Sequence, residues 1–373
     1  MKIVLDPQTY NEQKFGGISR YHTEVFLELQ KNPQVQIECP IVYSDNWHLK
    51  EAGLFQNLRN KIFNPNFWPK FVNKKISKTY KKANIKASLQ KLKKQDFDLF
   101  IPTYYSPYFL EALGNKPYVL TVYDMIHEVL PQYFTRDKHT VPNKKRLMEK
   151  ADKIIAISES TKNDIVKIYP HISADKIEVV YLSYSIKHDD SVHLNLPKKY
   201  ILFVGNRSDY KNFAFFLKSI APTLLSDNDL HLVCAGGNPF TANEQKMIAD
   251  LGVGKKLIQR NFEDHELASY YSDAKCFVFP SEYEGFGIPV LEAMACGCPV
   301  VLANHSSFPE VAGEAGVYFE LNNEIDLRSK INLLLNDEAL RQDYIAKGLV
   351  QAQKFSWKKT AQESFEIFKT VVS

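Results

Sequence analysis

Short apolar runs recur along the chain, separated by polar, glycine-bearing breaks and by longer amphipathic stretches. Residues 2–5, 35–43, 97–101, 118–122, 153–157 and 177–180 are apolar-rich segments of strand length, too short for independent helices. Between them, residues 18–29 carry the 3.6-residue periodicity of a helix, and a helix follows ISES at 157–160, where Ser158 is placed to cap it. A polar stretch at 185–199 containing Pro197 interrupts the series and has the character of an interdomain linker. The pattern then restarts with ILFVG at 201–205, a helix over 213–220, HLVCAGG at 231–237, LIQRNF at 257–262, and apolar runs at 276–279 and 300–302. Strands alternating with helices in this way predict two parallel α/β sheets, and 373 residues are long for one hydrophobic core.

The most informative stretch is 277–303, FVFPSEYEGFGIPVLEAMACGCPVVLA. It predicts a strand, an acidic loop with Gly285 and Gly287, a helix, and a second strand. Pro289 fits a first helical turn, where its missing N–H costs nothing, and Gly297 with Pro299 stops the helix. Glycines before a helix let backbone approach a ligand, and the unpaired N–H groups of the first turn suit a phosphate or pyrophosphate. Glu284 and Glu292, separated by seven residues, supply acceptors for sugar and ribose hydroxyls. Two further places match this chemistry. Gly16 and Gly17 precede the helix at 18–29, and Arg207 and Lys211 follow the glycine-ended strand at 201–205, where two cations can neutralise a diphosphate.

Composition narrows the class. The chain is 45% hydrophobic and 24% charged, as expected of a soluble protein, and it lacks an uninterrupted apolar run long enough to span a bilayer. MKIVLDPQTY passes from a short strand to polar residues without an export core, so a cytoplasmic protein is expected. The five cysteines are scattered and are expected to be reduced thiols, mostly buried, and not a zinc site. The net charge of +4 conceals twelve Lys or Arg and no acid between 56 and 94, leaving about −8 on the remainder. This segment interleaves aromatic and apolar residues with lysine. It suits an anionic membrane surface on the inner face of the cell membrane, an anionic acceptor, or a solvated basic helix; no nucleic-acid partner is expected, because the rest of the chain is acidic.

PSEYEGFGIPVLEAMACGCPVV closely resembles the E-x7-E segment of retaining nucleotide-sugar glycosyltransferases of glycosyltransferase family 4. The resemblance runs from Gly16 to the C-terminus and is sparse in the basic segment. It implies an α/β GT-B fold, two Rossmann-like domains with parallel sheets facing across a cleft. The boundaries would be 1–188 for the acceptor-side domain and 189–355 for the nucleotide-sugar-binding domain, with 356–373 a helix crossing back. It implies Glu284 at the donor sugar, Glu292 on the ribose, and donor contacts from the backbone at Phe286, Gly287 and Ile288. Gly16 and Gly17 resemble the family's loop facing donor phosphate and acceptor. TVYDMIHE resembles a loop near the donor sugar that usually carries a His-Asp pair; here Tyr123 replaces the histidine and Asp124 is retained, with His127 four residues beyond. Gly205 and Lys211 match the family's phosphate-binding segment, while Arg207 is displaced by one position and Asn206 takes the usual place. Backbone at 260–262, including Phe262, with Leu267 beyond, corresponds to the cradle for the base.

The implied activity is retaining transfer of a sugar to a saccharide or polyprenyl-diphosphate-linked glycan in bacterial surface-glycan synthesis. The sugar would be mannose, rhamnose or similar, and the catalytic set Arg207, Lys211, Glu284 and Asp124. The cosubstrate would be GDP-mannose, a GDP- or dTDP-linked deoxysugar, or a UDP-sugar, with no other cofactor and no metal. Two alternatives compete: a phosphorylase or epimerase of the same fold, and a non-enzymatic module binding anionic glycolipid.

Overall fold

The computed structural model describes the chain apart from residues 54–69, 188, 190, 193, 208 and 373, and apart from the side chains of 70–77. Six strands build the N-terminal half: β1 (Lys2–Leu5), β2 (Gln36–Glu38), β3 (Leu99–Ile101), β4 (Val119–Val122), β5 (Lys153–Ala156) and β6 (Ile177–Val179). They form two parallel sheets, β2-β1-β3 and β4-β5-β6, joined among the described residues by a bridge between Phe100 and Tyr118. Six more follow: β7 (Tyr200–Val204), β8 (His231–Ala235), β9 (Leu257–Arg260), β10 (Cys276–Phe279), β11 (Val300–Ala303) and β12 (Gly316–Phe319). These form one parallel sheet in the order β12-β11-β10-β7-β8-β9. Nearly every strand residue of β7, β10 and β11 is buried, which explains why these segments are continuously apolar instead of alternating.

The second strand is shorter than its apolar run predicts. Pro40 cannot donate to a ladder, and beyond it Asn84 Oδ1 takes the N–H groups of Val42 (2.7 Å) and Tyr43 (3.2 Å), drawing that backbone off the sheet. Ser158 does cap the helix Glu159–Ile168, accepting from Thr161 N at 3.0 Å. The C-terminal helix Trp357–Val372 returns onto the N-terminal half, lying against the helix Gly17–Leu29. Trp357 Nε1 donates to Ser185 Oγ (2.7 Å) and Thr360 Oγ1 to Tyr181 O (2.7 Å).

In a doubly wound sheet, ligands bind beyond the C-terminal strand ends where the strand order reverses. Those points lie between β1 and β3 in one half and between β7 and β10 in the other. The two meet in a closed cleft. Tyr283 donates to Asp164 (2.7 Å) and accepts from Met125 N (3.2 Å). Glu310 accepts from the N–H groups of Glu159 (2.8 Å) and Ser160 (2.9 Å), so an anion from one half caps the positive end of a helix in the other.

The basic segment is described only in part. Residues 56–69 lie outside the described residues, and the helix Lys70–Lys93 follows. Lys78, Lys82, Lys86, Lys93 and Lys94 are exposed, whereas Lys81 pairs with Glu12 (2.6 Å) and Lys91 with Glu38 (2.7 Å). No helix among the described residues is long and apolar enough to cross a membrane.

Candidate active site

Lys211 closes a short 3-10 turn, Asp209–Lys211, at the end of the loop after β7, just before the helix Phe213–Ser226. Its Nζ lies 2.5 Å from Glu284 Oε1 and about 5 Å over the rings of Tyr210 and Phe279. Burial works against the ammonium charge, yet Glu284 and then Tyr210 hold its pKa above the ordinary lysine range. The cation is therefore kept charged in a partly dehydrated place.

The loop carrying Glu284 is clamped on both sides. Glu282 N donates to Tyr210 O (2.8 Å), Glu284 N to Ser306 Oγ (3.1 Å), and Ser307 Oγ lies 3.0 Å from both Glu284 O and Phe286 O. Gly287 has φ +96°, a conformation that a side chain would strain, and it turns the chain into the helix Ile288–Ala295 with Pro289 in its first turn. At Gly285 a Cβ would stand 1.8 Å from Tyr123 O, so the two halves touch backbone to backbone here. Asp124, next to that contact, uses Oδ1 to accept from Ile126 N (3.0 Å) and sits close enough to Tyr210 to raise its pKa after burial has done so.

Glu292, on the same helix, is 5% exposed and meets a cation from the opposite half. Arg20 Nη1 is 3.3 Å from Glu292 Oε1 and Arg20 Nη2 is 2.5 Å from Asp264 Oδ2. Burial raises the Glu292 pKa and Arg20 opposes that rise. The pair borders a cavity of about 1390 Å³ between the two halves, also lined by Trp47, Phe262 and Leu267. The expected positions for base and ribose thus share one space. Gly205 ends β7 beside open space, and Gly17 faces Ile288 Cδ1 across the cleft. Gly16 packs against the Gln13 side chain. A Cβ there would meet the end of that side chain, whose Oε1 accepts from Ser19 N (3.1 Å).

Two expectations are corrected. Arg207 does not offer its guanidinium to the cleft. It bonds Glu244 (2.8 Å) and the carbonyls of Gly236, Gly237, Asn238 and Pro239 at 2.8–3.3 Å, a ring of acceptors on one turn that a planar five-donor group can serve at once; Gly236 O also accepts from Gln259 Nε2 (3.2 Å). Tyr123 presents its backbone to the cleft, not its ring. The hydroxyl is buried beside His22 Nε2 (2.6 Å) and Thr103 O (3.0 Å), where it finds the partners a buried phenol needs. His127 is taken up elsewhere too, packed at a tilt against Phe134 with Nε2 3.4 Å from Asp137. Tyr105 Oη accepts from Tyr123 N and Tyr108 Oη donates to Asp6.

Arg20 escaped the sequence reading. The signal was available in GGISRY, since a residue three places after Gly17 lies on the same helical face. Tyr283 and Glu310 as contacts between the halves had no local signal.

Residues 15–185 match the family described as Glycosyltransferase Family 4, and residues 185–350 match Glycosyl transferases group 1. The chain belongs to glycosyltransferase family 4. This glycosyltransferase is 28% identical over 290 residues to the O-antigen chain mannosyltransferase B of Escherichia coli, with 74% of each chain covered. It is 31% identical over 242 residues to the serotype-specific mannosyltransferase WbdA of Escherichia coli, covering 61% of this chain but only 30% of that longer one. Among solved structures, Anabaena Alr3699/HepE in complex with UDP and glucose shares the fold at a TM-score of 0.72 and 14% identity, with 99% of each chain covered. The two-domain GT-B architecture and a glycosyl-transferring activity, with a nucleoside-diphosphate sugar as donor, follow from this membership.

Proposed function

We propose that this glycosyltransferase moves mannose, or a related sugar such as rhamnose, from a nucleoside-diphosphate donor to a saccharide or polyprenyl-diphosphate-linked glycan, with retention at the transferred carbon. The observation that carries the reading is the Lys211–Glu284 pair at the mouth of the helix led by Gly287, with Glu292 further along the same helix. As the bond from sugar to phosphate breaks, the electron pair stays on the phosphate oxygen. Lys211 and the helix N–H groups meet that charge in a dehydrated setting, where fixed donors act most strongly. Glu284, acting as an acceptor, orients donor hydroxyls and keeps Lys211 in place; Asp124 lies on the facing side of the cleft. The acceptor proton passes to the departing phosphate oxygen on the same face, which gives retention without a protein nucleophile.

Both Escherichia coli relatives are mannosyltransferases, which favours mannose and hence a GDP-linked donor over dTDP- or UDP-linked ones. A panel of GDP-, dTDP- and UDP-sugars tested for thermal stabilisation and slow hydrolysis checks this: GDP-mannose is expected to shift the melting temperature most, and a larger shift with another donor would replace the assignment. The exposed lysines at 78, 82 and 86 support peripheral attachment to an anionic membrane face, each contributing about 1 kcal/mol near lipid headgroups. Sedimentation with phosphatidylglycerol vesicles is expected to fall sharply in the triple variant Lys78→Glu, Lys82→Glu, Lys86→Glu. Unchanged sedimentation would remove the membrane from the proposal.

A further inference from the structure

The charges around the expected diphosphate position are oddly balanced. Lys211 is already paired with Glu284, and Arg207, the other cation expected there, is consumed by the 236–239 turn. Arg20, Lys211, Glu284, Glu292 and Asp264 together carry one net negative charge. A nucleoside diphosphate entering this cleft meets repulsion unless a cation is released to it.

Arg20 is that cation by position. It stands in the first turn of the helix led by Gly17, the loop that faces Ile288 at the start of the opposite helix. Its guanidinium occupies one oxygen of Glu292, the carboxylate that the proposed function assigns to the ribose. Ribose hydroxyls donating to Glu292 replace the donor that Arg20 supplies, so the guanidinium is freed as the nucleotide arrives. The 5′-phosphates of a ribose held at Glu292 then lie within a rotamer change of a planar fork suited to phosphate oxygens.

We infer that Arg20 is a mobile diphosphate-binding residue, paired with Glu292 and Asp264 and handed to the donor phosphates when the ribose takes Glu292. This rests on the proposed nucleotide-sugar reading and goes beyond it by naming a cation from the acceptor-side domain as half of the phosphate site. It also couples donor binding to the relation of the two domains, because the same side chain bridges them before and after.

The test compares GDP, UDP and dTDP with their nucleosides by titration calorimetry on the full chain, using the wild type, Arg20→Met, Arg20→Lys and Asp264→Asn. The wild type is expected to prefer one diphosphate over its nucleoside. In Arg20→Met that preference falls by about 10-fold or more, the size of losing one charge-assisted bidentate contact, while the nucleoside binds as well as before or better. Arg20→Lys restores part of the preference. Asp264→Asn loosens the parked position and raises diphosphate affinity roughly 2- to 5-fold, less than one strong charge-assisted bond is worth. If Arg20→Met keeps the wild-type preference, or loses nucleoside and diphosphate affinity equally, Arg20 is a strut between the halves and the inference is overturned. A wild type that prefers no diphosphate overturns the nucleotide-sugar reading itself, a result separate from any Arg20 effect.

Discussion

The two halves of this glycosyltransferase reverse their strand order in the same way, yet they fill the crevice beyond it differently. Beyond β1 and β3, Asp6 is completely buried and fully partnered. Tyr108 donates to Oδ1 (2.6 Å), and Gln8 Nε2 (2.6 Å) and Thr103 N (3.1 Å) donate to Oδ2. Burial lifts its pKa to about 6 against those hydrogen bonds. Beyond β7 and β10, the Lys211–Glu284 and Arg20–Glu292 pairs keep charge at the cleft. The same topology thus gives a sealed polar plug on one side and a charged site bordering a cavity on the other. Strand order locates a crevice; whether it binds anything depends on whether its polar groups satisfy one another or are left for a ligand.

The comparison breaks most directly at Lys211. Lys211→Ala is expected to lower the transfer rate by about 10³-fold or more, the scale of removing a preorganised stabiliser of developing charge. A steady-state assay with the identified donor measures this, and a loss under tenfold would shift the leaving-group role elsewhere. Gly285→Ala comes next, because its Cβ would stand 1.8 Å from Tyr123 O and force the halves apart. Transfer is expected to fall by roughly 10²-fold, as a small misplacement of reacting groups can cost, with an increased radius of gyration in small-angle scattering. Unchanged dimensions and rate would mean that the close approach is dispensable.

Arg207→Ala sharpens the contrast between the two cations after β7. It removes a donor from each of four carbonyls and takes from Glu244 its cation, leaving it the bond from Thr241 N, so stability should fall by about 3 kcal/mol, while the folded fraction keeps most of its rate. Denaturant titration beside an activity assay separates this from a catalytic loss. The last effect concerns the sealed plug. The folded protein holds the Asp6 proton up to about pH 6, whereas the unfolded chain releases it near the ordinary aspartate pKa. This group's contribution is therefore greatest in acid, on the order of 3 kcal/mol, and is lost as pH rises through about 6. Asp6→Asn should flatten that slope in unfolding curves taken between pH 4 and 7, and a slope unchanged by the substitution would show that Asp6 is ionised throughout.

Much of the architecture was legible because its signals are local. Apolar runs of strand length, the Gly287–Pro289 helix entrance and the spacing of Glu284 and Glu292 all follow from neighbours in the chain. So did the placement of Lys211 at a strand end. The misplaced residues fail for one shared reason. Arg207 and Tyr123 carry side chains that fit a phosphate or sugar site as well as they fit a buried network, and only partners distant in sequence choose between the two. For Arg207 those partners are four carbonyls of the turn at 236–239; for Tyr123 they are His22 and Thr103.

By itself the sequence determined the two α/β halves, the glycine-led helix starts and the acids and cations available for a nucleotide sugar, since periodicity, capping and backbone conformation act over a few residues. Only the tertiary structure decided which charges remain for a ligand. That choice brings Arg20 across the cleft to Glu292 and takes Arg207 out of it, because electrostatic pairing and desolvation are set by whatever the fold places within a few ångströms.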